Sequence, residues 1–344
     1  MSIQVINPLS DGRWDDLVAR HPKASVFHGR GWLEALARTY SYTPFALTNA
    51  PEGKELTNGV VLCRVSSWIT GTRAVSLPFA DHCEPLIEDA ASCAEFTDWL
   101  RAECDRQHWK YVELRALSWH GSAELQNGSS YWFHRLDLTH SLEQIFQGLH
   151  KDSIQRRIRR AERERLCYER GCSPQLMEEF YRLLLKTRRR HQMIPQPIAW
   201  FRNLIECLGD RVQIRVARTG NIPVAAILTL QHRTSVVYKY GCSDERYHHL
   251  AGMPFLFWRL IEESKAARAE NVDFGRSDLD NKGLVTFKDR FGTSKRLLKY
   301  LRYSPTGKRD TASNWGLSGI RRLFSILPDA VLPSAGKILY RHIG

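Results

Sequence analysis

The chain carries the sequence VDFGRSD at residues 272–278 and GLVTFKDRFG at residues 283–292. The first segment alternates apolar and polar side chains and reaches a glycine at position 275, which is typical of a short strand that ends there. The second segment predicts one or two helical turns that carry Lys288 beside two phenylalanines. A strand, a polar loop and such a helix would place a cation at the edge of a sheet.

The elements before this stretch follow one order in both halves of the chain. The second half predicts alternating strands, an amphipathic helix and a closing strand (212–216, 224–230, 236–240, 254–269 and 272–274), and the first half predicts the same order (44–47, 60–65, 74–77, 95–107 and 111–115). Strands followed by a helix and another strand indicate an α/β fold. The repeated order is a weak internal repeat of about 150 residues. We therefore predict two domains, 1–140 and 141–303, and a tail, 304–344.

Residues 151–170 are predicted to form a basic helical insert between the two halves. Ile154 and Ile158 lie on one helical stripe, and Arg156 and Arg160 lie on another. The arginine face is a candidate for binding an anionic substrate. The alternative is a solvated helix surface whose arginines pair with neighbouring glutamates.

The composition favours an anionic partner, because the net charge is +13 and the sequence pI is near 9.5. RNA, a nucleotide-bearing substrate and an anionic membrane face are all consistent with that charge. The eight cysteines lack CxxC spacing, so buried free thiols are expected rather than zinc ligands or disulfides. No stretch approaches about 18 consecutive apolar residues, and the N-terminus lacks a signal-peptide pattern, so a cytoplasmic location is expected.

The C-terminal tail differs in character from the rest of the chain. Residues 304–313 are polar and contain a proline and a glycine, which is typical of a linker. Residues 315–340 mix aromatic, aliphatic and basic side chains at helical spacing. We expect them either to pack back on the protein or to attach it to an anionic membrane surface, which would place it at the inner face of the membrane.

One turn is a candidate for binding the phosphates of a donor. The segment from Tyr247 to Pro254 runs from a strand into a helix, and a glycine there lets backbone amides approach a ligand. His249, Gly252 and Met253 are therefore candidate donor-binding residues, although a plain loop explains the segment equally well. No metal site is predicted, because His248 and His249 are adjacent and their side chains diverge. No tightly bound cofactor is expected either.

Lys288 and Phe287 are candidate catalytic residues for acyl transfer. Acyl transfer builds negative charge on a carbonyl oxygen and on the leaving group, and a positioned ammonium stabilises either. Phe287 and Phe291 could exclude water and strengthen that interaction. The alternative is that Lys288 is one more exposed lysine in a basic stretch, residues 288–310.

These segments resemble those of a known family. The order of elements, the arginine-rich insert, the strand end DFG (273–275) and the segment LVTFKDRFG (284–292) are similar to those of the Fem family. Fem proteins are peptidyltransferases that add amino acids to peptidoglycan precursors and consist of two acetyltransferase-like domains. The segments SVFH (25–28), SLPFAD (76–81) and TRRRH (187–191) resemble Fem-like acyltransferases found with exopolysaccharide and protein-sorting gene sets.

The resemblance implies two tandem acetyltransferase-like (GNAT) domains with mixed sheets and a helical insert between them. Lys288 matches the family's catalytic lysine and would stabilise transition-state charge beside Phe287. At the end of the neighbouring strand, Asp273 is the third catalytic candidate. Structural ion pairing is the alternative for these charged groups.

The implied reaction is transfer of an acyl or aminoacyl group to an amine or hydroxyl of a cell-envelope or exopolysaccharide precursor. Arg276, Asp278 and Tyr240 are candidates to bind that acceptor, together with the arginine face. Aminoacyl-tRNA is the favoured donor and acyl-CoA the alternative, because Gly252 alone is a poor glycine turn. Two other functions remain open: an acyl-CoA-dependent N-acetyltransferase of the same fold, and a non-catalytic module that binds RNA or membrane. The sequence leaves the oligomeric state open.

Overall fold

The computed structural model describes residues 3–119, 125–306 and 332–343. Within them the α-helices are α1 (Gly12–Arg20), α2 (Arg30–Tyr40), α3 (Ala90–Arg106), α4 (Leu142–Gly148), α5 (Arg156–Arg163), α6 (Pro174–Arg190), α7 (Ile198–Leu208), α8 (Gly252–Ala266), α9 (Lys282–Asp289) and α10 (Leu332–Ile343). The strands are β1 (Gln4–Ile6), β2 (Thr43–Thr48), β3 (Val60–Val65), β4 (Arg73–Val75), β5 (Val112–Leu114), β6 (Gln126–Asp137), β7 (Cys167–Gly171), β8 (Val212–Thr219), β9 (Ile222–His232), β10 (Ser235–Ser243), β11 (Asn271–Asp278) and β12 (Ser294–Tyr303).

The chain divides into two compact units. Among the described residues, the first unit comprises 3–119, 125–130, 298–306 and 334–343, and the second comprises 131–297 and 332–333. The division from sequence instead placed its boundaries after residues 140 and 303.

The first unit is built on strands in the order β1-β2-β3-β4-β5, with the end of β12 beside β5. β4 and β5 run parallel, and the other pairs are antiparallel. The predicted apolar face of α3, which includes Phe96, Leu100 and Cys104, is buried in this unit's core. The helix begins earlier than predicted because the Asp89 carboxylate caps it, accepting the Ser92 N–H at 2.7 Å.

The second unit is built on strands in the order β6-β11-β10-β9-β8-β7. Only β10 and β11 are parallel within it. α8 packs on β8, β9, β10 and β11 and against α5, whose predicted apolar stripe is buried. α6 begins as predicted, with the Ser173 hydroxyl capping and Pro174 in the first turn.

Several boundaries differ from the sequence prediction. The strand predicted to end before Gly275 continues to Asp278, because Gly275 occupies a bulge (φ +71°) after which pairing with β6 resumes. The predicted helical insert ends at Arg163, and residues 167–171 form the strand β7 instead. β6 and β12 were not predicted. In β12, four basic side chains obscure the alternation that buries Leu298 and Tyr300.

The described residues also bear on three composition-based expectations. Five of the eight cysteines are buried, two are half-buried, and Cys167 is exposed; all eight are free thiols. No group of three or more histidine, cysteine or acidic side chains in the described ranges is placed to share a metal ion. Across residues 3–119, 125–306 and 332–343, every helix is too short or too polar to cross a membrane. Residues 315–331 of the predicted membrane-contacting tail lie outside this description.

Candidate functional site

The site lies where β10 and β11 separate. The two strands pair in parallel over only three positions, Ser235–Asn271 to Val237–Asp273. Beyond them β10 continues beside β9 as far as Ser243, while β11 continues beside β6 as far as Asp278. Each strand is bulged close to the point of separation. Because a bulge increases local twist and bends the strand, the two strands diverge, and we call the resulting opening the strand gap.

Aromatic rings fill the base of the strand gap. Phe257 of α8 stacks on Phe274 of β11 with ring centroids 4.9 Å apart. Phe287 and Phe291 meet Phe257 at 5.6 and 5.1 Å, and Tyr238 of β10 meets it at 4.6 Å. Offset and edge-on contacts of this kind add to the burial of apolar surface. We call this cluster the aromatic floor; Tyr238 and Phe287 are the two of its rings that line the cavity described next.

A cavity of about 540 Å³ lies above this floor, entirely within the second unit. Its walls come from β9, β10, the turn before α8, α8 itself, α5, α6 and α9. Cavities of this size that combine apolar walls with a few polar groups are typical of small-molecule and cofactor sites. The cavity is therefore the candidate active site.

Gly241 makes room for a tyrosine hydroxyl in the cavity wall. A Cβ atom on Gly241 would lie 2.1 Å from Tyr238 Oη and 3.0 Å from Met253 Cε. Since the Gly241 backbone does not have a positive φ, space rather than backbone conformation accounts for the glycine. Tyr238 and Gly241 both line the cavity.

Arg190 organises the polar rim of the cavity. Its guanidinium donates to the Ser243 carbonyl oxygen (3.4 Å), to His248 Nε2 (3.3 Å) and to His191 Nε2 (3.4 Å). The Ser243 hydroxyl lies 2.9 Å from His248 Nε2. Burial and the charge of Arg190 lower the pKa of both histidines, so both are neutral at pH 7.

A second arginine, Arg157 of α5, lines the same cavity. Its charge also contributes to the lowered pKa of His248, after burial and Arg190. Because the rim histidines are neutral, Arg157 and Arg190 supply the positive charge there. Two arginines beside an aromatic cavity suit an anionic ligand with an apolar or planar end.

The turn that leads into α8 is held by Asp244. Its carboxylate accepts from Lys186 Nζ (2.7 Å) and from the Arg246 guanidinium (2.7 and 3.1 Å). The bond from Arg246 and that from Lys186 hold the pKa of Asp244 well below its usual range. The chain then passes through Ala251 in the left-handed region (φ 60°) and begins α8 at Gly252.

Gly252 serves packing at this helix start. A Cβ on Gly252 would lie 3.0 Å from Ala225 Cβ and 3.3 Å from Val224 Cγ2, so a side chain there would collide with β9. The first N–H groups of a helix have no intrahelical partner. Pro254 removes one donor from this first turn, leaving Gly252 and Met253 to present theirs.

Lys288 is buried, which contradicts its reading as an exposed lysine. Its ammonium donates to the carbonyl oxygens of Gly275 (3.1 Å) and Arg276 (2.8 Å), so it ties α9 to the bulged part of β11. His134 lies close by, and burial followed by the charge of Lys288 lowers the pKa of that histidine to about 4. His134 is therefore neutral beside a charged lysine.

Four predicted site residues line the cavity: Phe287, His249, Gly252 and Met253. Lys288 follows Phe287 in α9, but its ammonium lies under β11, and it is not among the described lining residues. The structure thus brings the predicted donor turn and the predicted aromatic neighbour together at one opening.

The remaining predicted residues lie elsewhere. Asp273 is buried and accepts the Gly275 N–H at 2.6 Å inside the bulge. The Arg276 guanidinium stacks over the Tyr131 ring at 4.1 Å, and Asp278 is exposed at the end of β11. All three residues lie on β11, but none of them is among the described residues that line the cavity.

Tyr240 points away from the cavity. Its hydroxyl accepts from Gln196 Nε2 and Trp200 Nε1, both at 2.9 Å, and its ring packs on Phe201 of α7. Residues two apart on a regular strand share a face. The bulge between Tyr238 and Tyr240 breaks that rule, because these residues pair with adjacent positions of β9.

The two arginines predicted to bind substrate occupy the solvated face of α5. Arg156 is 3.2 Å from Asp152, and Arg160 is 3.7 Å from Glu164, with all four side chains widely exposed. Sequence reasoning missed Arg157, Tyr238 and the Arg190–His248 pair. Arg190 does fall in the TRRRH segment that carried part of the family resemblance, which is the one signal that pointed to it.

One family model matches part of the chain. Residues 150–283 match the family model described as an acetyltransferase (GNAT) domain. None of the curated proteins is significantly similar to this sequence.

Solved structures resemble the chain over most of its length. FemX is similar with a TM-score of 0.67 and 11% identity, covering 94% of this chain and 100% of FemX. The C-terminal domain assigned to a lysylphosphatidylglycerol synthetase of Agrobacterium fabrum has a TM-score of 0.57 and 16% identity, covering 94% and 97%. A tandem GNAT protein from the clavulanic acid biosynthesis pathway has a TM-score of 0.53 and 10% identity, covering 88% and 98%.

The predicted α/β fold with two acetyltransferase-like halves is confirmed by these likenesses, as is the resemblance in fold to a Fem protein. The candidate cavity is lined almost wholly by residues of the matched segment. The chain has the tandem GNAT fold, and its second unit carries an acyltransferase domain of the GNAT type.

Proposed function

We propose that the protein is an aminoacyltransferase that takes an aminoacyl group from charged tRNA and transfers it to an amine or hydroxyl group of a cell-envelope precursor. The observation that carries the proposal is the cavity at the strand gap, with its aromatic floor and its rim of Arg157 and Arg190. An aminoacyl-adenosine end has an uncharged planar base and is followed by phosphates. The aromatic floor suits the planar base, and the two arginines suit the phosphates.

The packing of Gly252 favours tRNA over acyl-CoA as the donor. A coenzyme A pyrophosphate is usually held by backbone amides at a glycine-rich helix start. Here the glycine accommodates Ala225 and Val224, and Pro254 removes a donor from the first turn. Anion recognition therefore rests on the arginine side chains, which suit the phosphates of a longer polyanion. The basic charge of the whole chain supports the same partner.

The proposed chemistry is a direct acyl transfer. The nitrogen or oxygen of the acceptor attacks the ester carbonyl carbon and forms the new bond. The bond from that carbon to the ribose oxygen breaks, and the proton of the acceptor ends on the leaving ribose hydroxyl. Tyr238 lines the cavity, and we propose that its hydroxyl donates a hydrogen bond to the carbonyl or leaving oxygen as charge develops.

Lys288 acts in this proposal through β11. Its two bonds to the carbonyl oxygens of Gly275 and Arg276 fix the bulge that keeps the strands apart, and its buried charge makes the local potential positive. Asp273 holds the same bulge through the Gly275 N–H. Arg276 and Asp278, farther along the strand, are proposed to contact the acceptor.

The assignment to a cell-envelope precursor rests on similarity of fold. FemX and a lysylphosphatidylglycerol synthetase domain share this fold, and the second name denotes an enzyme that makes an aminoacylated phospholipid. For this chain the acceptor class is a proposal drawn from those names and from the Fem resemblance.

The second candidate donor is acyl-CoA, which the GNAT domain match favours. Past Val237 the edge of β10 is no longer paired with β11 and faces the opening. An extended acyl-pantetheine arm could pair with such an edge. The rest of the cavity would then bind the nucleotide.

The two donors are distinguished by incubating the purified protein with labelled aminoacyl-tRNA and with acyl-CoA in the presence of amine acceptors. The proposal expects acceptor-dependent loss of the tRNA ester, with the thioester stable. Consumption of the thioester alone would establish the second candidate. Retention of tRNA without loss of its ester would instead indicate a non-catalytic RNA-binding module.

A further inference from the structure

An exposed apolar cluster lies in the first unit, at the turn between β3 and β4. Trp68 is 88% exposed, the highest value among the large hydrophobic side chains of the described residues, and its neighbour Ile69 is 55% exposed. Ile338 of α10 is 66% exposed. Single exposed apolar residues are common on protein surfaces, but an adjacent Trp-Ile pair at the tip of a turn is not.

The turn holds these side chains outward in a fixed conformation. The Ser67 hydroxyl accepts the N–H groups of Ile69 (3.1 Å) and Thr70 (2.9 Å). The Gly71 N–H donates to the Ser67 carbonyl oxygen at 2.9 Å, and Gly71 has a φ of +81°. The exposure of Trp68 and Ile69 is therefore a property of a closed turn rather than of an extended loop.

α10 is bound to the same turn. The His342 carbonyl oxygen accepts from Thr70 Oγ1 and from the Arg73 guanidinium, both at 2.8 Å. His342 Nδ1 lies 3.0 Å from Ser67 Oγ, and the His342 ring meets the Trp68 ring edge-on at 5.9 Å. These contacts place the turn and the end of α10 on one surface.

The two segments that form this surface carry charge of one sign. Residues 64–73 and 336–343 contain no aspartate or glutamate. They do contain Arg64 and Arg341, which are exposed, and Arg73, which is buried on the His342 carbonyl oxygen. A tryptophan and two isoleucines in segments whose exposed charged side chains include Arg64 and Arg341 match the boundary between lipid tails and anionic head groups.

We infer that this surface, which we call the Trp68 patch, docks the protein on an anionic lipid membrane. Trp68, Ile69 and Ile338 would enter the head-group layer, and Arg64 and Arg341 would meet lipid phosphates. A protein partner fits less well, because a stable interface takes roughly 20 to 30 residues a side and the patch offers three exposed apolar side chains. The patch lies wholly in the first unit and is separate from the proposed donor cavity.

The test is co-sedimentation of the full chain with phosphatidylglycerol-containing vesicles and with pure phosphatidylcholine vesicles. The test variant is Trp68→Ser combined with Ile69→Ser. The matched control is Ile222→Ser, which removes an isoleucine of 48% exposure from the start of β9 in the second unit. We expect binding to the anionic vesicles that weakens with added salt, and a loss of about tenfold or more in the patch variant only.

A spectroscopic measurement accompanies the sedimentation. The emission of Trp68, taken as the difference between the wild type and Trp68→Phe, should shift to shorter wavelength on anionic vesicles and be quenched by brominated lipid. Equal vesicle binding by the wild type and the patch variant, or no vesicle binding at all, would overturn the inference. A wild-type dimer that becomes monomeric in the patch variant without vesicles would also overturn it, by showing that a second copy covers the patch.

Discussion

The replacement of Arg157 by alanine should weaken donor binding, whereas the same replacement of Arg160 should not. The two residues lie one helical turn apart on α5. Arg157 lines the cavity and lowers the pKa of His248, while Arg160 lies in solvent 3.7 Å from Glu164. Both variants lose one positive charge from the same helix. Any difference between them therefore reports on the cavity and not on net charge.

The size of the effect follows from the type of contact. A hydrogen bond to a charged group contributes about 1.5–3 kcal/mol, so losing one such bond to a donor phosphate should weaken binding about 10- to 150-fold. Each phosphate contact to a single strand also contributes about 0.7 to the slope of log K against log salt. Arg157→Ala should lower that slope by roughly this amount. Arg160→Ala removes only an exposed ion pair within α5, worth about 0.2–1 kcal/mol to the stability of the fold, and should leave donor affinity nearly unchanged.

The assay is binding of aminoacyl-tRNA to each variant at several salt concentrations. A second readout is the pKa of His248 from its ring proton shifts, which should rise in Arg157→Ala because a nearby positive charge is removed. Equal losses in both variants would mean that α5 acts through general charge. An unchanged affinity in Arg157→Ala, with the His248 pKa shifted as expected, would refute the rim as the donor site.

Three further predictions concern single side chains. Lys288→Met should destabilise the fold by about 1–3 kcal/mol in urea unfolding, because two buried carbonyl oxygens lose their donor, and should also lower turnover; a folded variant with full turnover would remove the proposed role. Gly241→Ala should weaken donor binding by displacing Tyr238, since the new Cβ would lie 2.1 Å from its hydroxyl, whereas Gly12→Ala, with no atom within 4 Å, should not. Glu113→Gln should cost about 3–5 kcal/mol by removing the buried carboxylate that Arg115 and Arg302 contact. Burial raises the pKa of Glu113, but these arginines lower it by more, so its contribution to stability is present above the unfolded pKa near 4.3 and is lost as pH falls below it. A wild-type stability that does not fall below about pH 4 would contradict this.

The sequence predicted most elements of the fold because their patterns are local. The strand at 60–65, the cap at Ser173 and the buried face of α3 follow directly from alternation, capping chemistry and helical spacing. β6 and β12 were missed because their burial depends on strands distant in sequence. In a strand rich in arginine and lysine, apolar and polar residues do not alternate visibly in the sequence. Which residues are buried becomes clear only when the neighbouring strands are known.

The site was predicted less completely, and bulges account for much of the difference. Tyr240 was expected at the site, but one extra residue in β10 turns it to the opposite face and leaves Tyr238 in the cavity wall. Likewise, Arg157 and Arg156 are adjacent in sequence, yet α5 turns one to the cavity and the other to solvent. Residue type alone could not separate them, because which face of a helix is covered depends on tertiary packing.

The central claim is that the strand gap of the second unit binds the acyl donor. The most direct measurement is a crystal structure of the protein with a non-hydrolysable aminoacyl-adenosine that carries a phosphate. We predict the ligand beside Phe287, with its phosphate at Arg157 and Arg190 and its carbonyl near Tyr238. A ligand bound in the first unit, with this cavity of the second unit empty, would contradict the claim.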